Sequence, residues 1–285
     1  MSEAPLAEVI GDPIAQSKSP RIHRFWLEKL GLAGDYRAHR VLTGQVPAFL
    51  DAALADPAWR GCNVTMPHKH AALAAATRAD PVAARIGAAN TLVREGDALV
   101  ACNTDAPGFL EPLRGDLAQT HFFRMARILG TGGAARAIVV ALADEGFTLV
   151  LAGRDPAKAR AMLDELAPGG EHHAVALEHF AAPTDFAFDD REGCLDLIVN
   201  ASPLGMRGQP PLAFDFSHAP PRSVVYDIVT DPVETDFLKR ARAAGFRTIN
   251  GLAMLIGQAA HAFEKFYGQP PPREHDRELE GLLTR

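Results

Sequence analysis

Short apolar runs alternate with longer amphipathic stretches through the first hundred residues, a pattern that predicts strands and helices in turn. The predicted elements are strands at residues 6–11, 35–41 and 61–65, and helices at residues 19–30, at 47–55 and from Met66-Pro67 through Lys69. Ser19 at the N-cap and Pro20 at the first helical position predict the start of the first helix. Residues 90–94 and 98–103 flank Glu95-Gly96-Asp97, which predicts an antiparallel hairpin. We therefore expect a mixed sheet in this part of the chain.

From residue 126 onward the pattern becomes strictly strand–helix–strand, which is typical of an open parallel sheet. The predicted strands lie at residues 127–129, 148–152, 174–177, 195–200, 224–228 and, more weakly, 248–249. An amphipathic helix at residues 251–267 is expected to return the chain to its first domain. The predicted fold class is α/β. An N-terminal α/β domain at 1–106, with a mixed and mainly parallel sheet, is completed by helices at 250–285, and a Rossmann-type domain occupies 107–249.

Composition and charge exclude several classes of protein. In 285 residues, 47% hydrophobic and 22% charged residues are ordinary for a globular chain with two packed cores. A formal net charge of −6 with scattered Lys and Arg offers no basic surface to nucleic acid. No apolar run of about 18 residues and no secretory signal is visible, so no membrane partner is expected. The isolated Cys62, Cys102 and Cys194 favour reduced thiols in a cytoplasm. No metal site is expected, because His68 and His70 do not share a helix face.

A glycine-rich turn is the strongest motif for a bound cofactor. The predicted strand leads directly into Gly130, Thr131, Gly132, Gly133 and Ala134, and a helix is predicted from the next residue. Small residues let the backbone approach a pyrophosphate, and a helix N-terminus presents free N–H groups to it. The alternative is an ordinary tight turn between a strand and a helix. The strand before the motif and the helix after it favour the nucleotide.

The end of the second strand of this domain indicates which nucleotide is bound. An enzyme that uses NAD usually carries Asp or Glu there, about 20 residues after the glycines. This chain has Gly153, followed by Arg154 and, four residues later, Lys158. Two cations without an acid suit a 2′-phosphate, so we expect NADP. Asp155 leaves two interpretations open, an N-cap of the next helix or a ribose acceptor that would permit NAD.

Polar residues at the predicted strand ends supply a second candidate site. Ser17 and Ser19 lie at a helix start, where the dipole and free amides favour an anion, unless Ser19 only caps that helix. Lys69 lies in the first turn of a helix that follows a strand, and Asp105 begins a helix after the hairpin. Asn90 opens the hairpin and is expected at the same sheet end as Asp105. Each residue alone fits a solvated side chain or a cap; together they offer an anion anchor and a Lys–Asp pair for proton transfer.

Seven motifs along the chain resemble, in their order, the motifs of one protein family. They are Gly11-Asp12-Pro13-Ile14 with Ser17-Lys18-Ser19-Pro20 and His23, Asn63-Val64-Thr65 with Pro67 and Lys69, Gly87-Ala88-Ala89-Asn90-Thr91-Leu92, Asn103-Thr104-Asp105 with Gly108, Gly130-x-Gly132-Gly133-Ala134, Asn200-Ala201-Ser202-Pro203-Leu204-Gly205-Met206, and Gly251-Leu252-x-Met254-Leu255-x-x-Gln258. In this order, and over nearly the whole chain, they resemble the shikimate dehydrogenases.

The resemblance implies a reversible, NADP-linked reduction of 3-dehydroshikimate to shikimate in the biosynthesis of aromatic amino acids. It implies a small-molecule substrate bound by the N-terminal domain and NADP bound by the Rossmann-type domain, with monomer and homodimer both open. The roles it implies are catalysis for Lys69 and Asp105; the substrate carboxylate for Ser17 and Ser19; ring hydroxyls for Thr65, Asn90, Asp105 and Gln258; cofactor phosphates for Gly130, Thr131, Gly132, Gly133, Ala134, Arg154 and Lys158; and the nicotinamide for Ile228 and Gly251.

One departure from the family pattern keeps the substrate open. Thr230 stands where the resemblance implies a substrate-contacting Tyr, so the preference between shikimate and quinate is not decided. The resemblance implies Thr at the position of Ser19 in many relatives that prefer quinate, so Ser19 favours shikimate. The near alternative is a quinate/shikimate dehydrogenase that uses NAD, against which Arg154 and Lys158 argue. An alternative of another class is a non-catalytic NAD(P)-binding sensor, which would have no use for a Lys–Asp pair.

Overall fold

The computed structural model describes residues 4–284, which form two compact units. One unit ends at Gly108 and resumes at Ile256, and Phe109–Leu255 forms the other. The strands are Leu6–Gly11 (β1), Asp35–Arg40 (β2), Trp59–Val64 (β3), Arg78–Ala79 (β4), Thr91–Glu95 (β5), Ala98–Cys102 (β6), Phe123–Leu129 (β7), Thr148–Gly153 (β8), His173–Ala176 (β9), Cys194–Asn200 (β10), Val224–Asp227 (β11) and Arg247–Ile249 (β12). The helices are Ser19–Leu30 (α1), Val46–Leu54 (α2), Lys69–Ala75 (α3), Pro81–Ile86 (α4), Asp105–Leu110 (α5), Arg114–Leu117 (α6), Gly133–Asp144 (α7), Pro156–Leu166 (α8), Asp236–Ala243 (α9), Gly251–Tyr267 (α10) and Asp276–Leu283 (α11). None of the helices within this range is long and apolar enough to cross a membrane.

The first unit contains a six-stranded mixed sheet in the order β2-β1-β3-β5-β6-β4. β1 pairs in parallel with β2 and β3, whereas β5 runs antiparallel to β3 and β6, so the predicted hairpin and mixed sheet are confirmed. The hydrophobic pattern misses β4 and α4, because a strand of two exposed residues carries no apolar periodicity. Asp80 is the N-cap of α4, and its side chain accepts a hydrogen bond from the N–H of Ala83 at 2.6 Å.

Helices cover both faces of this sheet, because successive side chains of its inner strands point in opposite directions. On one face Val9 of β1 belongs to a buried cluster with Tyr36 of β2 and Phe266 of α10. On the other face Ile10 belongs to a cluster that includes Leu50 of α2. With both faces filled by apolar residues, polar side chains that can meet a ligand are left at the strand ends.

The second unit contains a six-stranded sheet in the order β12-β11-β10-β7-β8-β9, and every pairing in it is parallel. This is the order of a doubly wound nucleotide-binding sheet, in which the winding direction reverses between the first and fourth strands of the unit, β7 and β10. Ala126, Ile128 and Leu129 of β7 are fully buried, as expected for a central parallel strand covered on both faces. The predicted α/β fold class with a Rossmann-type domain is confirmed.

Two predictions at the start of an element are wrong, the N-cap residue of α1 and the first residue of β7. Ser19 is not an N-cap, because α1 already includes it; Lys18 is the N-cap residue and makes no side-chain capping bond. β7 begins at Phe123 rather than at residue 127, because its first residues pair in register with β10 although their side chains are partly exposed. In both cases the backbone hydrogen bonds set the boundary, and the polarity of the side chains gives a poor indication of it.

Candidate active site

Lys69 and Asp105 form an ion pair in the first unit. Lys69 is the first residue of α3, after the end of β3, and Asp105 is the first residue of α5, after the end of β6. The Lys69 Nζ lies 2.6 Å from the Asp105 Oδ2, and the two side chains are only 15% and 9% exposed. A partly buried pair at hydrogen-bond distance holds the ammonium in one orientation, which a solvated lysine would not have.

The Asn90 amide fixes the second oxygen of the Asp105 carboxylate. Its Nδ2 donates to the Asp105 Oδ1 at 2.9 Å and also to the Thr104 Oγ1 at 2.9 Å. Its Oδ1 accepts from the backbone N–H of Thr104 at 2.8 Å. The backbone bond defines which end of the amide faces the carboxylate. Both oxygens of Asp105 therefore have a partner, and Lys69, Asn90 and Asp105 come together as the sequence predicts.

A buried hydrogen-bonded chain behind Asn90 was not apparent from the sequence. The Tyr36 hydroxyl donates to the Asn63 Oδ1 at 2.6 Å, and the Asn63 Nδ2 donates to the Thr91 Oγ1 at 3.0 Å. Thr91 in turn donates to the Asn90 Oδ1 at 3.0 Å. Burial raises the pKa of Tyr36, so its hydroxyl stays protonated and available as a donor. The available signal was Asn63 itself, a buried polar residue between the buried apolar residues Cys62 and Val64.

Ser17 and Thr65 lie in the segments that follow β1 and β3, and Ser19 is the first residue of α1. The Ser19 N–H donates to the Ser17 Oγ at 3.3 Å, which links the two hydroxyl-bearing residues, and Ser19 is buried. The Thr65 N–H donates to the Ile10 carbonyl at 2.9 Å, which ties the end of β3 to the end of β1. Gly11 makes room for Thr65, because an added Cβ would lie 2.5 Å from the Thr65 Cγ2.

Gln258 lies on α10, where that helix packs against α5. The added Cβ of any other residue at Gly108 would lie 2.4 Å from the backbone nitrogen of Gln258 and 2.8 Å from its Cα. The glycine therefore permits a backbone-to-backbone approach three residues after Asp105. Gln258 is buried, and it lies on the helix that contacts α5, the helix that begins with Asp105.

The glycine turn of the second unit lies between β7 and α7. Gly130 has φ +120°, and an added Cβ would lie 2.8 Å from the backbone of Ala201, at the end of β10. Gly132, the N-cap residue of α7, is exposed, and because it is a glycine no side chain caps the start of this helix. Gly130, Thr131, Gly132, Gly133 and Ala134 thus surround the start of a 12-residue helix, where unpartnered N–H groups attract phosphate.

The end of β8 carries the predicted phosphate-binding cations. Arg154 follows the last residue of β8, Lys158 lies in the first turn of α8, and both are exposed. Among the residues described, neither side chain has a carboxylate partner. Asp155 is the N-cap of α8 and accepts from the N–H groups of Ala157 at 3.0 Å and Lys158 at 3.4 Å. The capping interpretation of Asp155 is therefore confirmed.

Ile228 and Gly251 are brought together at the ends of β11 and β12. An added Cβ at Gly251 would lie 2.6 Å from the Ile228 carbonyl oxygen and 2.2 Å from that of Val229. The loop that follows β11 is held by Asp227, a residue that sequence reasoning missed. Its carboxylate accepts from Thr235 Oγ1 at 2.6 Å and Val229 N at 3.0 Å, and burial raises its pKa. An acid that ends the apolar run Val224–Asp227 was the signal that could have found it.

The Lys–Asp pair on a mixed α/β unit and the glycine turn with two available cations on a Rossmann-type unit define a class, the two-domain nicotinamide-dependent dehydrogenases. Comparison with known proteins agrees. Residues 9–92 match the family model described as the shikimate dehydrogenase substrate binding domain, and residues 251–279 match the shikimate 5′-dehydrogenase C-terminal domain. The chain is 47% identical over 284 residues to the shikimate dehydrogenase (NADP(+)) of Sphingopyxis alaskensis, covering 99% of this chain and 97% of the relative.

Two solved structures have the same fold over nearly their whole length. One is the shikimate 5-dehydrogenase of Thermus thermophilus in complex with NADP(H) and shikimate, which is 35% identical to this chain with a TM-score of 0.80. The match covers 98% of this chain and 99% of the Thermus chain. The other is the quinate dehydrogenase of Corynebacterium glutamicum in complex with NAD, which is 31% identical with a TM-score of 0.83. The match covers 99% of this chain and 100% of the Corynebacterium chain. The chain belongs to the shikimate dehydrogenase family, which confirms the resemblance in its sequence.

Proposed function

We propose that the protein is an NADP-dependent shikimate dehydrogenase, which reversibly reduces 3-dehydroshikimate to shikimate in the biosynthesis of aromatic amino acids. The observation that carries the proposal is the ion pair between the Lys69 Nζ and the Asp105 Oδ2 at 2.6 Å. Relatives named shikimate dehydrogenase (NADP(+)) support the substrate and the cofactor. A binding protein without catalysis would have no need of an ammonium held in this way.

In the proposed reaction Lys69 supplies the proton. When bound, NADPH provides the hydride for the carbonyl carbon, and negative charge then develops on the carbonyl oxygen. An ammonium about 3 Å from that oxygen stabilises the charge and donates a proton to it. Asp105 keeps Lys69 in place and accepts a hydrogen bond from a neighbouring ring hydroxyl. Asn90 holds the carboxylate against rotation, so the ammonium does not have to be reoriented during the reaction.

We assign the remaining substrate contacts to residues of the same unit. Ser17 and Ser19, at the start of α1, would bind the carboxylate, because hydroxyls and the helix dipole favour an anion. Thr65 and Gln258 would contact ring hydroxyls together with Asn90. This proposal is supported by the link between the two serines and by the approach of α10 to α5.

We assign the cofactor to the second unit. Gly130 to Ala134 would hold the pyrophosphate, and Arg154 with Lys158 would hold the 2′-phosphate, since a dianion suits two exposed cations that have no carboxylate partner among the described residues. Asp155 is engaged as a helix cap, which leaves the position after β8 without an acid for the ribose of NAD. Ile228 and Gly251 would border the nicotinamide.

We further propose a cytoplasmic location. Burial raises the pKa of the Cys62 thiol, and it raises that of the Cys102 thiol to about 11. Thiols in this state are protonated and unreactive, which supports a protein that keeps its cysteines reduced. All groups assigned to the reaction come from a single chain, so the proposal is compatible with a monomer and with a homodimer.

The function is tested by following reduced cofactor in absorbance with shikimate and NADP, and then with quinate and with NAD. We expect Lys69→Ala to lower kcat about 100-fold to 10,000-fold with a much smaller change in KM, because the residue acts in proton transfer. Lys265→Ala, which changes an exposed lysine on α10, is the matched control and should retain wild-type rates.

Unchanged turnover in Lys69→Ala would falsify the assigned mechanism. A higher kcat/KM with quinate and NAD than with shikimate and NADP would instead favour the quinate enzyme, an outcome that Thr230 keeps open. Binding of NADP without turnover of either acid would favour a sensor.

A further inference from the structure

We propose that the C-terminal helix α11 positions the two serines assigned to the substrate carboxylate, and that Lys18 is the positioning residue through which it acts. Lys18 lies between Ser17 and Ser19 in the chain. Its Nζ donates a hydrogen bond to the backbone carbonyl of Leu283, 265 residues away, at 2.7 Å. The inference rests on the proposed function in one respect, namely that these serines bind the carboxylate.

The end of α11 is a favourable place for a cation. The last carbonyl groups of a helix have no partner within the helix and carry the negative end of its dipole. A second cation of α1 makes a similar bond, because an Arg21 nitrogen donates to the Leu282 carbonyl at 2.5 Å. Two consecutive carbonyls of α11 therefore bind two side chains at the start of α1.

The carbonyls that bind Lys18 are held in place by the packing of α11. Leu279 and Leu283 of this helix are buried, being 0% and 2% exposed. Near the other end of α1, the Lys29 Nζ lies 2.7 Å from a carboxylate oxygen of Glu278. α11 thus lies along α1 with an apolar face anchored in the unit, and its end is a fixed point for the Lys18 side chain.

Because of these contacts, the backbone of residues 17–19, which we call the serine loop, is held from two sides. On one side the Lys18 carbonyl accepts the N–H groups of Arg21 at 3.1 Å and Ile22 at 3.2 Å, which joins the loop to α1. On the other side the Lys18 ammonium joins it to α11. The Ser19 N–H bonds the Ser17 hydroxyl, so a shift of residue 18 moves both serines. Lys69 and Asp105 lie on other helices, α3 and α5, and do not depend on this loop for their contact.

This separation predicts a split between binding and chemistry. We expect Lys18→Met, which keeps the aliphatic stem and removes the donors, to raise KM for shikimate about tenfold. Deletion of residues 282–285, which removes both acceptor carbonyls, should do the same with Lys18 intact. In both variants kcat should stay within about threefold of wild type and KM for NADP should not change. Lys18→Arg, whose guanidinium can reach a carbonyl acceptor, should restore most of the affinity.

Lys29→Met is the matched control, because it removes another cation that α1 offers to α11 but lies far from the serines in the chain. It should leave KM for shikimate unchanged. Amide hydrogen exchange provides a readout that needs no activity: exchange at residues 17–22 should be faster in Lys18→Met and in the shortened chain, and unchanged in Lys29→Met.

These experiments test the positioning role of Lys18 separately from the proposed dehydrogenase activity. Wild-type protein that does not oxidise shikimate counts against the proposed function, while the exchange data still test the contact. A raised KM in Lys18→Met with an unchanged KM in the shortened chain would mean that Lys18 meets the carboxylate directly, which overturns the positioning role. An equal rise in KM in Lys29→Met, or normal KM and exchange in Lys18→Met, overturns it as well.

Discussion

His23 has an unusual environment for a titratable residue. It is fully buried on α1, its ring stacks on that of Tyr36 with 3.9 Å between centroids, and neither ring nitrogen has a hydrogen-bond partner among residues 4–284. Burial lowers the pKa of this imidazole to about 3. The ring is therefore neutral at physiological pH and acts as a packing residue beside the hydroxyl chain that leads to Asn90.

This environment predicts an acid sensitivity of folding. The pKa of His23 is about 3 in the folded state and about 6.5 when unfolded, so the unfolded chain takes up a proton first as the pH falls. Above pH 6.5 the ring is neutral in both states and does not change the free energy of unfolding with pH. Between about pH 6.5 and 3 it lowers the free energy of unfolding by roughly 1 kcal/mol for each unit by which the pH falls. His23→Phe, which keeps a flat ring, should flatten the dependence of unfolding free energy on pH between 4 and 6.5. Urea unfolding at a series of pH values measures it.

His173→Phe is the control, because this residue is exposed on β9 and its replacement should leave the pH dependence as it is in the wild type. Equal slopes for wild type and His23→Phe would show that His23 is not the group whose protonation accompanies acid unfolding.

At the scale of secondary structure elements, the contact between α5 and α10 depends on one small residue. Sequence patterns indicate both helices, and the bounds of α10 agree with prediction, but no local signal shows that Gly108 meets the backbone of Gln258. A helix contact of this kind is decided by the shape of two surfaces that lie about 150 residues apart in the chain.

Gly108→Ala should therefore harm both stability and substrate binding. Its Cβ would lie 2.4 Å from the Gln258 nitrogen, so the helices must separate, at a cost of about 1–3 kcal/mol. Because Gln258 is assigned to a ring hydroxyl, KM for shikimate should rise while KM for NADP stays near wild type. Thermal unfolding and steady-state kinetics measure the two effects.

Gly115→Ala provides the comparison, since it is also in a helix and its added Cβ would meet no described atom within 4 Å beyond its own helix backbone and chain neighbours. It should be neutral or slightly stabilising. Wild-type stability and KM in Gly108→Ala would contradict the close approach of the two helices.

On the scale of the whole molecule, the two ligands are assigned to different units. NADP is assigned to Phe109–Leu255, and shikimate to the unit that ends at Gly108 and resumes at Ile256. A ligand that binds the native state lowers the population of open states around its site. NADP alone should therefore slow amide exchange in the glycine turn and at the start of α8, and shikimate alone should slow it at the starts of α1, α3 and α5.

Hydrogen exchange with mass spectrometry distinguishes these patterns. NAD at the same concentration is the control and should protect the start of α8 less, because it lacks the phosphate assigned to Arg154 and Lys158. Protection by NADP confined to the starts of α1, α3 and α5 would contradict the cofactor assignment.

The sequence by itself determined the order and type of most elements, the fold class and the family. Apolar periodicity and turn residues act through short-range sterics and backbone hydrogen bonds, so they can be read locally. The position of Lys69 and Asp105 after strand ends was predictable for the same reason, whereas the sequence left both interpretations of Asp155 open.

Only the tertiary structure decided which of these residues meet. Lys69 and Asp105 are 36 positions apart, Tyr36 and Asn63 are 27 apart, and Lys18 contacts a carbonyl 265 positions away. Such contacts depend on strand order, register and the packing of helices on the sheet, because these bring distant segments to one place. Chemistry was thus visible along the chain, whereas the partner of each reactive group was set by the fold.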